Sequence, residues 1–376
     1  MLVNIIFSET GVLYRDVQNI FTRIEKNPVF SSYDLAIFVI PPIYDKEVVK
    51  SYLKNFFGGK PFIAFYSNFV GSNDFFTEKG LVGIFLKKAY ENSFCEIKIF
   101  ENLEGFKQYI ANRNTKSFVH LIFVPYPLVN FRQKFKFFEG FENVKTEISG
   151  LITAGYDYDR EYPIIVNGKE VKDGRIAVLT FNNLKGCLAS SINFKKIGPP
   201  FDFTSEDTYK LKTVDGQDAI DFFLEILKRE TNELSPEILV GFPMLVKNEG
   251  DNYRKLVRFP KEVRDGELIF WANLPEKGQF HFVYLLPDRV KVKNILKRHC
   301  KGFYPVSDFA IFFYCVGKSA FVNPKEDAEF IGKRLSIPFV IVGSYGEIFT
   351  FNEKIYMLNG STTFLLLKEG FENDES

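Results

Sequence analysis

The residues that could do chemistry in this chain are few and concentrated toward its C-terminal end. Glu347 stands between Gly346 and Ile348, just beyond the apolar run Phe339–Val342. A carboxylate on a tight glycine turn can face a pocket and take an ammonium group or a nest of backbone amides, or simply cap its own neighbours. Tyr345 beside it can stack on a ligand or plug the strand end. Gly343 and Gly346 give the turn its small residues. Cys315 ends another apolar run; it reads as a buried small hydrophobe or, with an activating base, as a nucleophile. Lys318 follows three residues later, either above the pocket or in solvent. Arg258 lies in a short strand-like stretch, where it can clamp a ligand carboxylate or form a surface ion pair.

Catalytic patterns are lacking. The histidines, His120, His281 and His299, form no metal-binding or catalytic spacing, and His120 and His281 sit in strand-like apolar runs. No P-loop, G-x-S-x-G or H-E-x-x-H pattern occurs. Cys95, Cys187, Cys300 and Cys315 show no C-x-x-C pair, and four scattered cysteines in a long chain fit a reducing cytoplasm. These features predict no enzyme, no cofactor and no metal.

Composition narrows the partners. With 48 basic and 47 acidic residues the net charge is +1, without the basic balance of a duplex binder, so no nucleic acid is expected. The basic cluster Lys291, Lys293, Lys297 and Arg298 reads as a solvated helix face. No apolar stretch nears the roughly 20 residues that span a bilayer, so no membrane insertion is expected. Aromatic content is high at 17%, with 44 Phe, enough to fill a phenylalanine-rich core.

The elements that must position these residues recur. Leu35–Ile40, Val119–Val124 and Phe309–Tyr314 are short apolar runs suited to buried strands. Each is followed by a helix-like stretch (Asp45–Phe57, a less regular Arg132–Phe141, Lys325–Leu335). A second strand follows (Phe62–Tyr66, Val144–Ile152, Phe339–Val342), then a turn and a last strand (Val82–Leu86, Arg175–Phe181, Thr362–Leu367). Ala64, Gly150 and Gly343 stand at an equivalent point, read as a turn needing close approach or positive φ. Gly198-Pro-Pro200 is expected to break the chain. Asp215-Gly216 is a turn before an amphipathic helix over 217–229. Glu267–Ala272 and Gln279–Leu285 read as a strand pair, and Asp288 as the cap of a helix over 289–299. The predicted fold is α/β (mixed α+β): mixed sheets of many short strands covered by helices, in two halves.

Cys315-Val-Gly-Lys318, then Glu326 and Glu329, then Pro338-Phe-Val-Ile-Val-Gly-Ser-Tyr-Gly-Glu-Ile348 resembles the C-terminal signature of the FIST family. Val214-Asp-Gly-Gln-Asp-Ala219, Phe242–Val246, Leu256–Arg258 and Leu274–Gly278 fall in the family's order. Asp34–Phe38, Ile148–Ala154 and Val171–Leu179 resemble its N-terminal half. Lys318 stands where the family usually has Arg, and Ala64-Phe-Tyr-Ser67 where it tends to Gly-Cys-Ser. The resemblance implies a FIST N-terminal-like domain (31–205) and a C-terminal-like domain (206–368); the residues themselves read as a strand and amphipathic helix ahead of them (1–30) and an acidic tail behind them (369–376). The polar stretch Arg229–Glu237 is the strongest boundary signal within the chain. The resemblance further implies a cytoplasmic sensory protein that binds a small molecule, such as an amino acid, and signals through a separate protein. The alternatives are an interaction scaffold with a vestigial pocket and a Cys-dependent hydrolase.

Overall fold

The computed structural model describes residues 1–89, 94–128, 134, 138, 141–157, 159–228, 230, 233–247, 256–304 and 306–369. The expected helix Arg132–Phe141 and boundary Arg229–Glu237 lie partly outside the described residues, as does the tail beyond Glu369.

Three of the four sheets follow the recurring unit. In sheet I the strand Leu35–Ile40 runs parallel to Phe62–Tyr66 and antiparallel to Leu81–Lys87, which pairs outward with Leu2–Ser8. In sheet II, Phe118–Val124 is parallel to Glu147–Ile152 and antiparallel to Ile176–Asn182, whose outer partner is Phe94–Phe100. In sheet III, Phe309–Cys315 is parallel to Phe339–Ser344 and antiparallel to Thr362–Glu369, whose outer partner is Leu184–Ser191. The strands of the expected units therefore form one arrangement used three times.

Each unit gives a hairpin away. The hairpin of the first unit, Val70–Thr77, adds to sheet III through Val342, Ile341 and Val340. That of the second, Ile164–Val171, adds to sheet I through Phe65, Ala64 and Ile63. That of the third, Glu347–Leu358, adds to sheet II through Leu151, Gly150 and Ser149. The exchange is cyclic, so every sheet is completed by another unit.

Burial explains why the central strands, His120 excepted, are apolar on successive residues rather than alternating. Successive side chains point to opposite faces. Leu35, Ile37 and Val39 join Val119, Leu121, Phe123, Phe309, Ile311 and Phe313 in a single cluster shared by the three sheets. Ala36, Phe38 and Ile40 face instead the helices Leu13–Glu25 and Lys46–Phe57. Asp45 caps the latter helix by accepting from the amides of Glu47 and Val48.

The fourth sheet, antiparallel throughout, is inserted between Leu184–Ser191 and the helix Arg289–Arg298. It has its own core around Phe203, Phe223, Phe280 and Leu268, backed by the helix Ala219–Leu227. The strand Phe194–Glu206 runs on through Gly198-Pro-Pro200 instead of breaking. A register shift between Ile197 and Phe201 absorbs the prolines, which cannot donate to a ladder. Glu267–Phe270 and Lys277–Leu285 do not pair with each other: Lys210–Val214 and Phe194–Glu206 lie between them.

Ala64, Gly150 and Gly343 lie inside strands rather than at turns, and none has positive φ. Close approach is the reason for both glycines. A Cβ on Gly150 would sit 2.1 Å from the carbonyl oxygen of Ile122, and one on Gly343 would sit 2.0 Å from Asn68 Oδ1. Against the expectation of a reducing cytoplasm, Cys187 and Cys300 are joined by a disulfide, because the fold brings their Cα atoms to 5.7 Å, a proximity that spacing in sequence does not reveal. Among the described residues no helix is long and apolar enough to cross a membrane.

Candidate functional site

The apolar strand Phe339–Ser344 ends at Ser344, bends at Tyr345 and Gly346, and leaves its own unit as the exchanged strand Glu347–Phe351. The bend is crowded. A Cβ at Gly346 would lie 2.9 Å from Ile152 Cδ1, so only glycine passes there without displacing a neighbour. Ile152 N donates to Gly346 O, and Tyr345 N donates to Ile152 O.

Glu347 is the first residue of the exchanged strand and its side chain is wholly buried. Ser344 Oγ donates to Oε1 at 2.8 Å and Ser361 Oγ to Oε2 at 2.5 Å. Burial pushes its pKa up to about 8, against the pull of the two hydroxyl bonds and of the Lys318 charge. Cys315 lies beside Ser344 in the parallel register, and its amide donates to Ser361 O. Burial first, and the Glu347 charge second, hold its thiol well above the ordinary range.

Lys318 is neither above an open pocket nor in solvent. Its buried ammonium donates to Asp288 Oδ2 at 2.6 Å and Thr362 Oγ1 at 3.0 Å, lies 3.8 Å from Asp327 Oδ2, and sits over the Tyr314 ring. Asp288 therefore serves this ion cluster and makes no side-chain cap to the helix it precedes. Tyr314 Oη donates to Asp327 at 3.2 Å. The Asp327 carboxyl is raised by burial, with Lys318 opposing.

Tyr345 plugs the bend. Its hydroxyl donates to Gly155 O at 2.7 Å, and its ring stacks on Trp271 at 5.2 Å and meets Tyr126 edge-on. Trp271 belongs to the inserted sheet, which thus covers the bend; Val257 also bridges to Asn359. Arg258 stands apart from Glu347 in its partners. It is buried rather than at the surface, and its guanidinium donates to Asn273 O, Asn273 Oδ1 and Val257 O. Gly343, Tyr345, Gly346, Glu347, Cys315 and Lys318 are brought together at the end of sheet III; Arg258 contributes to the covering sheet.

One set of residues escaped the sequence reading. Ser67 and Thr153 follow the last paired position of their second strands, and Ser344 is the last paired position of its own. All three are buried, Ser67 and Thr153 donate their hydroxyls to the carbonyls of Phe69 and Tyr162, and Ser344 Oγ shares its proton between Gly346 O and Glu347. Here the three units are stitched together, by Ala154 N to Tyr66 O, Tyr345 N to Ile152 O and Gly343 N to Phe69 O. The signal was a hydroxyl at one repeat position, visible only once the strands are aligned in register. Among the described residues no group of three His, Cys, Asp or Glu is placed to hold a metal.

No curated protein matches the chain significantly. A family model does match part of it, and the part contains Arg258, Cys315, Lys318 and the whole Gly343–Glu347 bend. The match covers none of residues 1–218, where the resemblance placed an N-terminal FIST half. Residues 219–350 match the FIST C domain.

Proposed function

We propose that this chain is a sensory module that binds a small amine-bearing metabolite, such as an amino acid, at the Gly343–Glu347 bend. The observation that carries the reading is Glu347: a carboxylate buried with two serine hydroxyls as its direct partners and a pKa pushed up to about 8. An ionisable group held this far from its ordinary range costs stability, and such groups concentrate at functional sites. An ammonium brought beside Glu347 would favour its charged form and so be held by it. Access requires the Trp271 side of the inserted sheet to move off Tyr345.

The match to the FIST C domain, a family associated with sensory signal transduction, supports the same class of role. Signalling through a separate protein and a cytoplasmic location belong to this reading. So does the lack of catalysis. Cys315 is kept as the thiol, and His120, the buried histidine, is spent on Thr180 at 2.8 Å, with its pKa pushed down to about 3 by burial.

A thermal-shift panel of amino acids, amines, organic acids and nucleotides, run on the native chain and on Glu347→Gln, tests it. Ligand at a hundred times its Kd should add about 2.7 kcal/mol of stability to the native chain alone. A panel in which no amine-bearing compound shifts the native protein, or in which Glu347→Gln shifts equally, overturns the reading in favour of an interaction scaffold.

A further inference from the structure

A separate cleft of about 440 Å³ opens between the strand Leu184–Ser191, the helix Arg289–Arg298 and the exchanged strand Glu347–Phe351. Its size falls within the range of small-molecule sites. Its two walls differ in chemistry. One is apolar and aromatic: Leu188, Ile192, and Phe349 stacked with Phe351 at 6.1 Å. The other is the helix face that carries Lys291, Asn294, Ile295 and Arg298, spaced three and four residues apart so that they lie in one row. Two of these are cationic, and the lining contains no carboxylate. Arg298 is exposed and in no ion pair among the described residues, and Lys291 Nζ donates to Ile192 O at 3.1 Å. Ser191 lines the same cleft, is buried, and its hydroxyl has no hydrogen-bond partner among the described residues.

We infer that this cleft is a binding site for an aromatic organic anion, such as an aryl carboxylate. The ring system lies against Phe349 and Phe351, and the carboxylate meets Lys291 and Arg298, with the Ser191 hydroxyl as a further donor. Aromatic walls reward a flat apolar body beyond its buried area. A guanidinium favours a planar carboxylate through paired hydrogen bonds. An amine, the ligand class proposed for the Glu347 bend, would be repelled here, so the two sites select opposite charges and stand or fall separately.

The probe is 2-naphthoate, with neutral 2-naphthamide as its uncharged counterpart, both followed by calorimetry on the whole chain. Naphthoate should bind at one site per chain, about ten-fold more tightly than the amide. The exposed double variant Lys291→Glu, Arg298→Glu should weaken naphthoate by about ten-fold or more while leaving the amide within about two-fold. Phe351→Ala should weaken both. Glu347→Gln should leave naphthoate binding unchanged. Equal affinity for acid and amide, naphthoate binding indifferent to the charge reversal, no saturable binding, or loss of binding in Glu347→Gln would each overturn the assignment.

Discussion

Cys187 and Cys300 are bonded across 113 positions of chain, and the interval contains the whole inserted sheet. The bond sits at the neck of that insertion, where Leu286 N also donates to Asn193 O and Asn193 Nδ2 to Pro287 O. Oxidised protein unfolded without reductant should titrate two thiols, Cys95 and Cys315, and four after reduction. Replacing the pair with serine should cost about 2–4 kcal/mol in denaturant unfolding. Four thiols before reduction would remove the bond.

Glu347 predicts a pH dependence of definite sign. Its pKa is raised from 4.5 to about 8 in the folded chain, so between those values the folded state holds a proton that the unfolded state has lost. The contribution is fully present below pH 4.5 and is lost as pH rises to 8. Glu347→Gln keeps a neutral group of the same shape. Its stability should therefore fall less steeply than that of the native chain between pH 5 and pH 8, measured by urea unfolding. Parallel curves would mean that the carboxylate is ionised in the fold.

Lys318→Met removes the ammonium shared by Asp288 and Asp327; Asp327 keeps Arg289 Nε at 3.2 Å, but the buried Asp288 loses its cation. Breaking a buried pair on one side typically costs about 3–5 kcal/mol. Adding Asp288→Asn to Lys318→Met should recover part of that loss. Unfolding midpoints of the single and double variants check both statements.

Gly150→Ala forces a methyl against the Ile122 backbone oxygen at the junction of the parallel strands in sheet II. Overpacking of this kind costs about 1–3 kcal/mol. Gly302→Ala, where a Cβ meets nothing within 4 Å, is the control and should be neutral within about 0.5 kcal/mol.

The repeated strand–helix–strand unit was legible because its strands are apolar on both faces, and that pattern survives in sequence whatever the strands pair with. Cys315 and Glu347 were legible as candidates for the same reason, since Cys315 ends one such run and Glu347 stands just beyond another. The destination of each hairpin was not. Val70 pairs with Val342, 342 − 70 = 272 positions away, and Glu347 with Leu151, 347 − 151 = 196 positions away, and nothing in their residue types distinguishes that from local pairing. Asp288 misled for a related reason. An aspartate before a helix has the chemistry of a cap, but a lysine 30 residues on reached it first. The disulfide, too, is a product of register between distant elements rather than of spacing.

The cyclic trade of hairpins also sets an order on synthesis. Sheet I can be complete once Val171 has emerged, but the strand Glu147–Ile152 waits for Glu347–Phe351. From residue 152 to residue 347 is 347 − 152 = 195 positions, or about 10–40 s at common translation rates. Through that interval the nascent chain carries an unpaired hydrophobic edge, the kind of surface that invites association with other chains. Slow elongation should therefore lower the soluble yield of this protein, and chaperones that cover strand edges should raise it.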